Sequence, residues 1–143
     1  SFRGLHRLFN YFCLKFIFAD KKPQDQHLNR LPLGDLALDT YPCCGHTTTS
    51  DALYAGLPVL TLAGKSFHSR VSASLLKVQG LEQLITQSIG EYATTAVTLA
   101  TSPELIRDIK KQTVCAKKKG ALYDTPAWVA EFEEIMINLH QTS

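Results

Sequence analysis

Apolar positions along the chain fall into short runs separated by stretches of helical spacing, and this alternation predicts strands and helices in turn. The opening stretch, Phe2 to Phe18, reads as a buried helix from about Leu5 to Cys13 running into a strand from Leu14 to Ala19. A polar loop over Asp20 to Asp25, carrying Pro23, precedes a short helix from Gln26 to Leu31. Leu36-Ala37-Leu38-Asp39 predicts a second strand. Pro58-Val59-Leu60-Thr61-Leu62 predicts a third, apolar enough for a sheet covered on both faces. Between them Thr48 to Ala55 reads as a helix stopped by Gly56. A further helix spans about Ser66 to Val78, with Val71, Leu75 and Val78 as its apolar stripe and Gly80 at its end. Beyond it the spacing is helical throughout: a short piece from Leu81 to Ile85, then Ser88 to Ala100, Pro103 to Ala116 and Pro126 to His140. Ser102 and Thr125 stand as caps of the last two.

Three strands separated by helices and followed by a helical tail predict an α/β fold, a doubly wound, Rossmann-like parallel sheet with its ligand at the carboxyl ends of the strands. The loops after Ala19, Asp39 and Leu62 then line one crevice and bring Lys21, Lys22, His46, Thr47, Thr48, Lys65 and Ser66 to it. A length of 143 residues suits a single domain. It divides into a lead-in helix over 1–13, an α/β core over 14–85 and C-terminal helices over 86–143.

Composition changes this picture chiefly by exclusion. With 45% hydrophobic and 20% charged residues the chain is ordinary globular protein. A net charge of +2 is too small to imply nucleic acid, and Lys110, Lys111, Lys117, Lys118 and Lys119 read as a solvated helix face. Arg3, His6, Arg7, Asn10 and Lys15 interrupt the apolar opening too often for a membrane span of ~20 residues. Cys13, Cys43, Cys44 and Cys115 form no CxxC pair, so reduced thiols and a cytoplasmic location are expected. Cys43, Cys44 and His46 lack a second half-site, and no metal site is expected.

The segment Gly45-His46-Thr47-Thr48-Thr49-Ser50-Asp51 carries the candidate chemistry. One threonine would suffice as a helix cap worth about 1 kcal/mol. Three hydroxyls and an imidazole beside a glycine exceed that need and suit an anion held at a positive helix end. Asp51, one turn on, is open to two roles: acceptor for ribose hydroxyls, or an acid placed favourably in the helix dipole.

The ordered run Asp35-Leu36-Ala37-Leu38-Asp39-Thr40, Gly45-His46-Thr47-Thr48, Ser50-Asp51-Ala52-Leu53, Ala55-Gly56, Pro58-Val59-Leu60-Thr61, Ser69-Arg70-Val71 and Ala73-Ser74-Leu75-Leu76 resembles the C-terminal lobe of the O-linked N-acetylglucosaminyltransferase family, glycosyltransferase family 41, in its bacterial form. The match extends from about Phe18 to His140 and includes Leu122-Tyr123-Asp124-Thr125. The resemblance implies half of a GT-B fold and transfer of N-acetylglucosamine from UDP-GlcNAc to serine or threonine hydroxyls of proteins, with inversion. It implies that His46, Thr47 and Thr48 hold the diphosphate, that Asp51 binds the ribose, and that His27 and Arg30 serve the uracil side. A loop lysine also contacts the nucleotide in the family. Gapless alignment puts that position on Gln24, and nearby Lys21 is the choice. Cys44, where the family commonly has a polar residue, and His68 depart from the pattern.

On this reading His46 stabilises the leaving group and is not the general base, which lies outside the chain together with the acceptor-side lobe and the tetratricopeptide repeats. The resemblance implies UDP-GlcNAc as donor substrate, and since no Asp-x-Asp motif is present, no cofactor and no metal are expected. The chain is expected to begin part-way through a lobe and to be inactive alone as a transferase. The alternatives are a noncatalytic module that binds a UDP-sugar or a partner, and a different GT-B activity such as an epimerase.

Overall fold

The computed structural model describes residues 17–141. The helix expected over Leu5 to Cys13, and Leu14 to Phe16 of the first expected strand, lie outside these residues. The rest of that strand does not form: no ladder bond reaches 17–19, and Ile17 and Phe18 are each 85% exposed. A strand exists only through its neighbour's hydrogen bonds, and apolar composition alone cannot supply them.

The described elements are α1 (Gln24–Arg30), β1 (Ala37–Leu38), α2 (Thr47–Ala55), β2 (Val59–Leu62), α3 (Val71–Val78), β3 (Ile85–Thr86), α4 (Ile89–Thr101), α5 (Pro103–Lys119) and α6 (Thr125–Gln141). Short 3₁₀ turns precede β1, α3, β3 and α6. The three strands pair in parallel in the order β1-β2-β3, with Ala37 opposite Val59 and Thr61 opposite Ile85. The α/β class and the parallel sheet are as the alternation predicts, and the second and third expected strands form as β1 and β2. The strand beside β2 on its other side is Ile85-Thr86, which the alternation does not predict. The helical spacing places Ile85 at the end of a short helical piece; a 3₁₀ turn over Glu82–Leu84 delivers Ile85-Thr86 to the sheet edge instead. Two residues are too few to display a period of two, so β-branching is the only local sign.

The core is built around β2, whose four residues are all buried. Leu53 of α2, Leu60 of β2, Leu76 of α3, and Leu81 and Leu84 of the turn before β3 are essentially sealed from water. Leu99 of α4 and Ile109 of α5 close the same cluster. The expected stripe of α3 is rotated: Ser72, Ala73 and Leu76 face inward, while Val78 is 49% exposed. The helix expected from Ser66 also breaks, because Ser66 and Ser69 cap each other's backbone in a 3₁₀ turn and α3 starts only at Val71.

Gly56 ends α2 with φ +83°, and a Cβ there would press on Val114 of α5 at 2.9 Å. Lys110 of α5 reaches back to the loop before β1, donating to the Gly34 carbonyl at 2.7 Å and pairing with Asp35 at 3.2 Å. Of the expected caps, Ser102 makes no side-chain bond, and Asp124 takes the place of Thr125 by accepting from Ala127 N–H at 3.1 Å. No described helix is long and apolar enough to cross a membrane.

Candidate functional site

The loops after β1 and β2 meet at the carboxyl edge of the sheet. Cys44 N–H donates to the His68 carbonyl at 3.0 Å, tying one loop to the other. The Cys44 thiol also lies 3.0 Å from that carbonyl and accepts from Ser72 N–H at 3.4 Å. Cys44 is thus a buried thiol that still has hydrogen-bond partners. The His68 side chain stays exposed, its Nε2 3.1 Å from Ser66 Oγ.

Gly45 is gripped on both sides of its backbone. Its N–H donates to Asp39 Oδ1 at 2.7 Å, and its carbonyl accepts from Ser72 Oγ, also at 2.7 Å. Ser72 Oγ is in turn 2.8 Å from buried Thr49 Oγ1. A Cβ on Gly45 would fall 2.6 Å from both Thr48 Oγ1 and Thr49 Oγ1, so the close approach of loop and helix requires glycine here.

His46 is the N-cap of α2, and its carbonyl accepts the first intrahelical bond, from Ser50 N–H at 3.0 Å. Helix geometry leaves the N–H groups of Thr47, Thr48 and Thr49 without intrahelical acceptors. Thr47 and Thr48 are exposed, and among the described residues neither their hydroxyls nor the His46 ring nitrogens have a hydrogen-bond partner. The imidazole stands edge-on to Phe67, with ring centroids 6.0 Å apart and planes at 89°. Unused donors therefore gather at a positive helix end whose geometry is fixed from behind.

Asp51 lies four and three residues after Thr47 and Thr48, on the same helix face, and is half-buried. Tyr123 is close enough for the Asp51 charge to act on it. Burial chiefly, then Asp51 and Tyr54, push its phenol above the ordinary value, while a hydrogen bond to Ser50 pulls the other way. That bond is donated by Tyr123 OH to the Ser50 carbonyl at 2.8 Å. The C-terminal segment grips α2 further through Tyr54, whose ring meets Tyr123 edge-on and carries Lys117 Nζ 3.7 Å from its centroid.

α1 packs against α2, and so places His27 and Arg30 beside the cradle helix. Arg30 Nη2 donates to His27 Nδ1 at 2.9 Å, and Nη1 to the Asp20 carbonyl at 2.9 Å. The two residues three apart thus act as a pair that also ties down the preceding loop. Lys21 and Lys22 are exposed in that loop, and Gln24 is the first residue of α1. The structure brings His46, Thr47, Thr48 and Asp51 onto one helix turn and sets His27 and Arg30 on its neighbour. Lys21 it leaves solvent-facing.

Residue-by-residue reading of the sequence gives no role to Asp39, Phe67, Ser72, Tyr92 or Tyr123, all of which shape the site from other elements. Asp39 does have a local sign, an acid ending an apolar strand. Beside the cradle a cavity of about 660 Å³ is lined by Gly64, Phe67, Arg70, Ser74, Lys77 and Gln87 among others. A second, of about 730 Å³, lies away from the cradle against Gly56, Arg107, Lys110 and Lys111.

The chain is similar to known proteins. The chain is 36% identical over 88% of its length to the Arabidopsis thaliana protein named probable UDP-N-acetylglucosamine-peptide N-acetylglucosaminyltransferase SEC. It is 30% identical over 85% to the Caenorhabditis elegans UDP-N-acetylglucosamine-peptide N-acetylglucosaminyltransferase. A solved structure of a lysine-to-methionine mutant of the O-GlcNAc transferase of Thermobaculum terrenum superposes on 82% of the chain with a TM-score of 0.77 at 29% identity. The chain spans 13% and 11% of the lengths of the two relatives, and 23% of the solved chain. The sequence pattern that defines glycosyl transferase family 41 matches residues 10–132, and the chain belongs to that family.

Proposed function

We propose that this chain is the donor-binding lobe of an inverting transferase that moves N-acetylglucosamine from UDP-GlcNAc to serine or threonine hydroxyls of proteins. The observation that carries this reading is the start of α2, where the hydroxyls of Thr47 and Thr48 and the His46 imidazole have no hydrogen-bond partner among the described residues and the helix N–H groups stand behind a locked Gly45. In the reaction an acceptor oxygen attacks the anomeric carbon, the bond from that carbon to UDP breaks, and negative charge grows on the departing phosphate. Donors fixed in advance at that point stabilise the transition state more than the ground state. His46, Thr47 and Thr48 are assigned to the diphosphate, Asp51 to the ribose hydroxyls, and His27 and Arg30 to the base. Lys21 reaches the nucleotide from its loop.

The acceptor hydroxyl gives its proton to a base outside these residues, on an acceptor-side lobe, and tetratricopeptide repeats present the protein substrate. We assign the diphosphate to protein donors without a divalent ion, so EDTA is expected to leave UDP affinity unchanged. The free thiols of Cys43, Cys44 and Cys115 suit a cytoplasmic setting. Calorimetric titration of the chain with UDP tests the site: binding by wild type that weakens about tenfold or more in His46→Ala supports it. Equal heats from both proteins, or none from wild type, overturn it.

A further inference from the structure

We propose that Asp39 is the positioning residue of the diphosphate cradle, acting through the Gly45 amide, and that its charge works against the ligand it prepares for. This rests on the reading of the cradle given above. Asp39 follows β1 directly and is held from several directions: its N–H donates to the Leu60 carbonyl at 3.0 Å, and its carbonyl accepts from Tyr92 OH of α4 at 2.8 Å. Its carboxylate joins the sheet to the loop. Oδ2 accepts from Thr61 Oγ1 at 2.7 Å, and Thr61 is fully buried on the central strand β2. Oδ1 accepts from Thr40 N–H at 2.9 Å and from Gly45 N–H at 2.7 Å. The Gly45 peptide is therefore clamped between Asp39 on the sheet side and Ser72 on the α3 side, and His46 follows it directly.

A carboxylate is a costly choice at a site meant for an anion, because like charges repel and are weakly screened at a partly buried position. What it offers is three accepted hydrogen bonds from one rigid group, each strengthened by the charge. Asparagine separates the two effects. Its Oδ1 can keep Thr40 and Gly45, while its Nδ2 donates to Thr61 Oγ1, whose hydroxyl turns to accept. Asp39→Asn thus keeps the clamp and removes the repulsion, whereas Asp39→Ala removes both.

Two readouts test this on the intact chain: UDP affinity by calorimetry, and amide hydrogen exchange at Gly45. Wild type is expected to protect Gly45. Asp39→Asn is expected to keep that protection and bind UDP severalfold more tightly, and Asp39→Ala to lose protection and bind about tenfold or more weakly. Asp39→Asn carries the test by itself if the alanine variant does not fold. Weaker UDP binding by Asp39→Asn overturns the proposal, as does a folded Asp39→Ala that protects Gly45 and binds like wild type. Gly45 protection that follows the expected pattern while wild type fails to bind UDP overturns the diphosphate assignment and leaves the clamp standing as a structural device only.

Discussion

Gly45→Ala is the sharpest single perturbation of the cradle. The added Cβ would meet Thr48 Oγ1 and Thr49 Oγ1 at 2.6 Å each and Asp39 Oδ1 at 3.4 Å. Thr48 is exposed and can rotate its hydroxyl away, but Thr49 is 3% exposed and bonded to Ser72. Relief therefore breaks the Thr49–Ser72 bond, worth about 1 kcal/mol, and adds overpacking strain of about 1–3 kcal/mol. The expected loss is about 2–4 kcal/mol. At about 3 °C per kcal/mol for a chain of this size, that is a fall in Tm of about 6–12 °C in thermal unfolding followed by circular dichroism. UDP affinity is expected to fall with it, since the new methyl group pushes on the start of α2. A Tm within about 2 °C of wild type with unchanged UDP affinity would refute the claim that loop and helix are locked at this point.

Gly90, in the first turn of α4, has open space within 4 Å of where a methyl group would stand, so Gly90→Ala is expected to stabilise the fold by about 0.5–1 kcal/mol, measured by urea unfolding. Leu60→Ala empties the centre of the core, where Leu60 is 0% exposed, and is expected to cost about 2–5 kcal/mol in the same assay. Tyr92 and Tyr123 both titrate above the ordinary 10.0 in the folded chain, chiefly through burial. A folded value above the unfolded one means their contribution is fully present below pH 10.0 and is lost as pH rises through the folded value. Stability is expected to decline on the alkaline side of that point, with a shallower decline in Tyr123→Phe.

How much of the fold is legible in the sequence depends on how local each determinant is. α2 and its turn are readable because Gly56, the threonines and Asp51 each act within one helix of their neighbours. β2 is readable from four consecutive buried residues. The register of the α3 stripe is not, because Ser72 is buried for its bonds to Gly45 and Thr49 rather than for hydrophobicity, and apolar spacing cannot reveal that. β3 is hidden by its length, and the strand expected at 17–19 fails because an apolar run does not by itself find a partner. His27 and Arg30 come from the family resemblance alone, and their pairing is intelligible once three-residue spacing on α1 is seen. The clamp from Asp39 is invisible because Thr61 and Tyr92 are 22 and 53 residues away in sequence.

The central claim, that UDP binds at the start of α2, is tested most directly by backbone amide chemical-shift mapping of the chain titrated with UDP. The largest shifts are expected at His46, Thr47, Thr48 and Asp51, with a second group at His27 and Arg30 on α1. Shifts centred instead on the cavity beside Arg107, Lys110 and Lys111, or no shifts at saturating UDP, would contradict it.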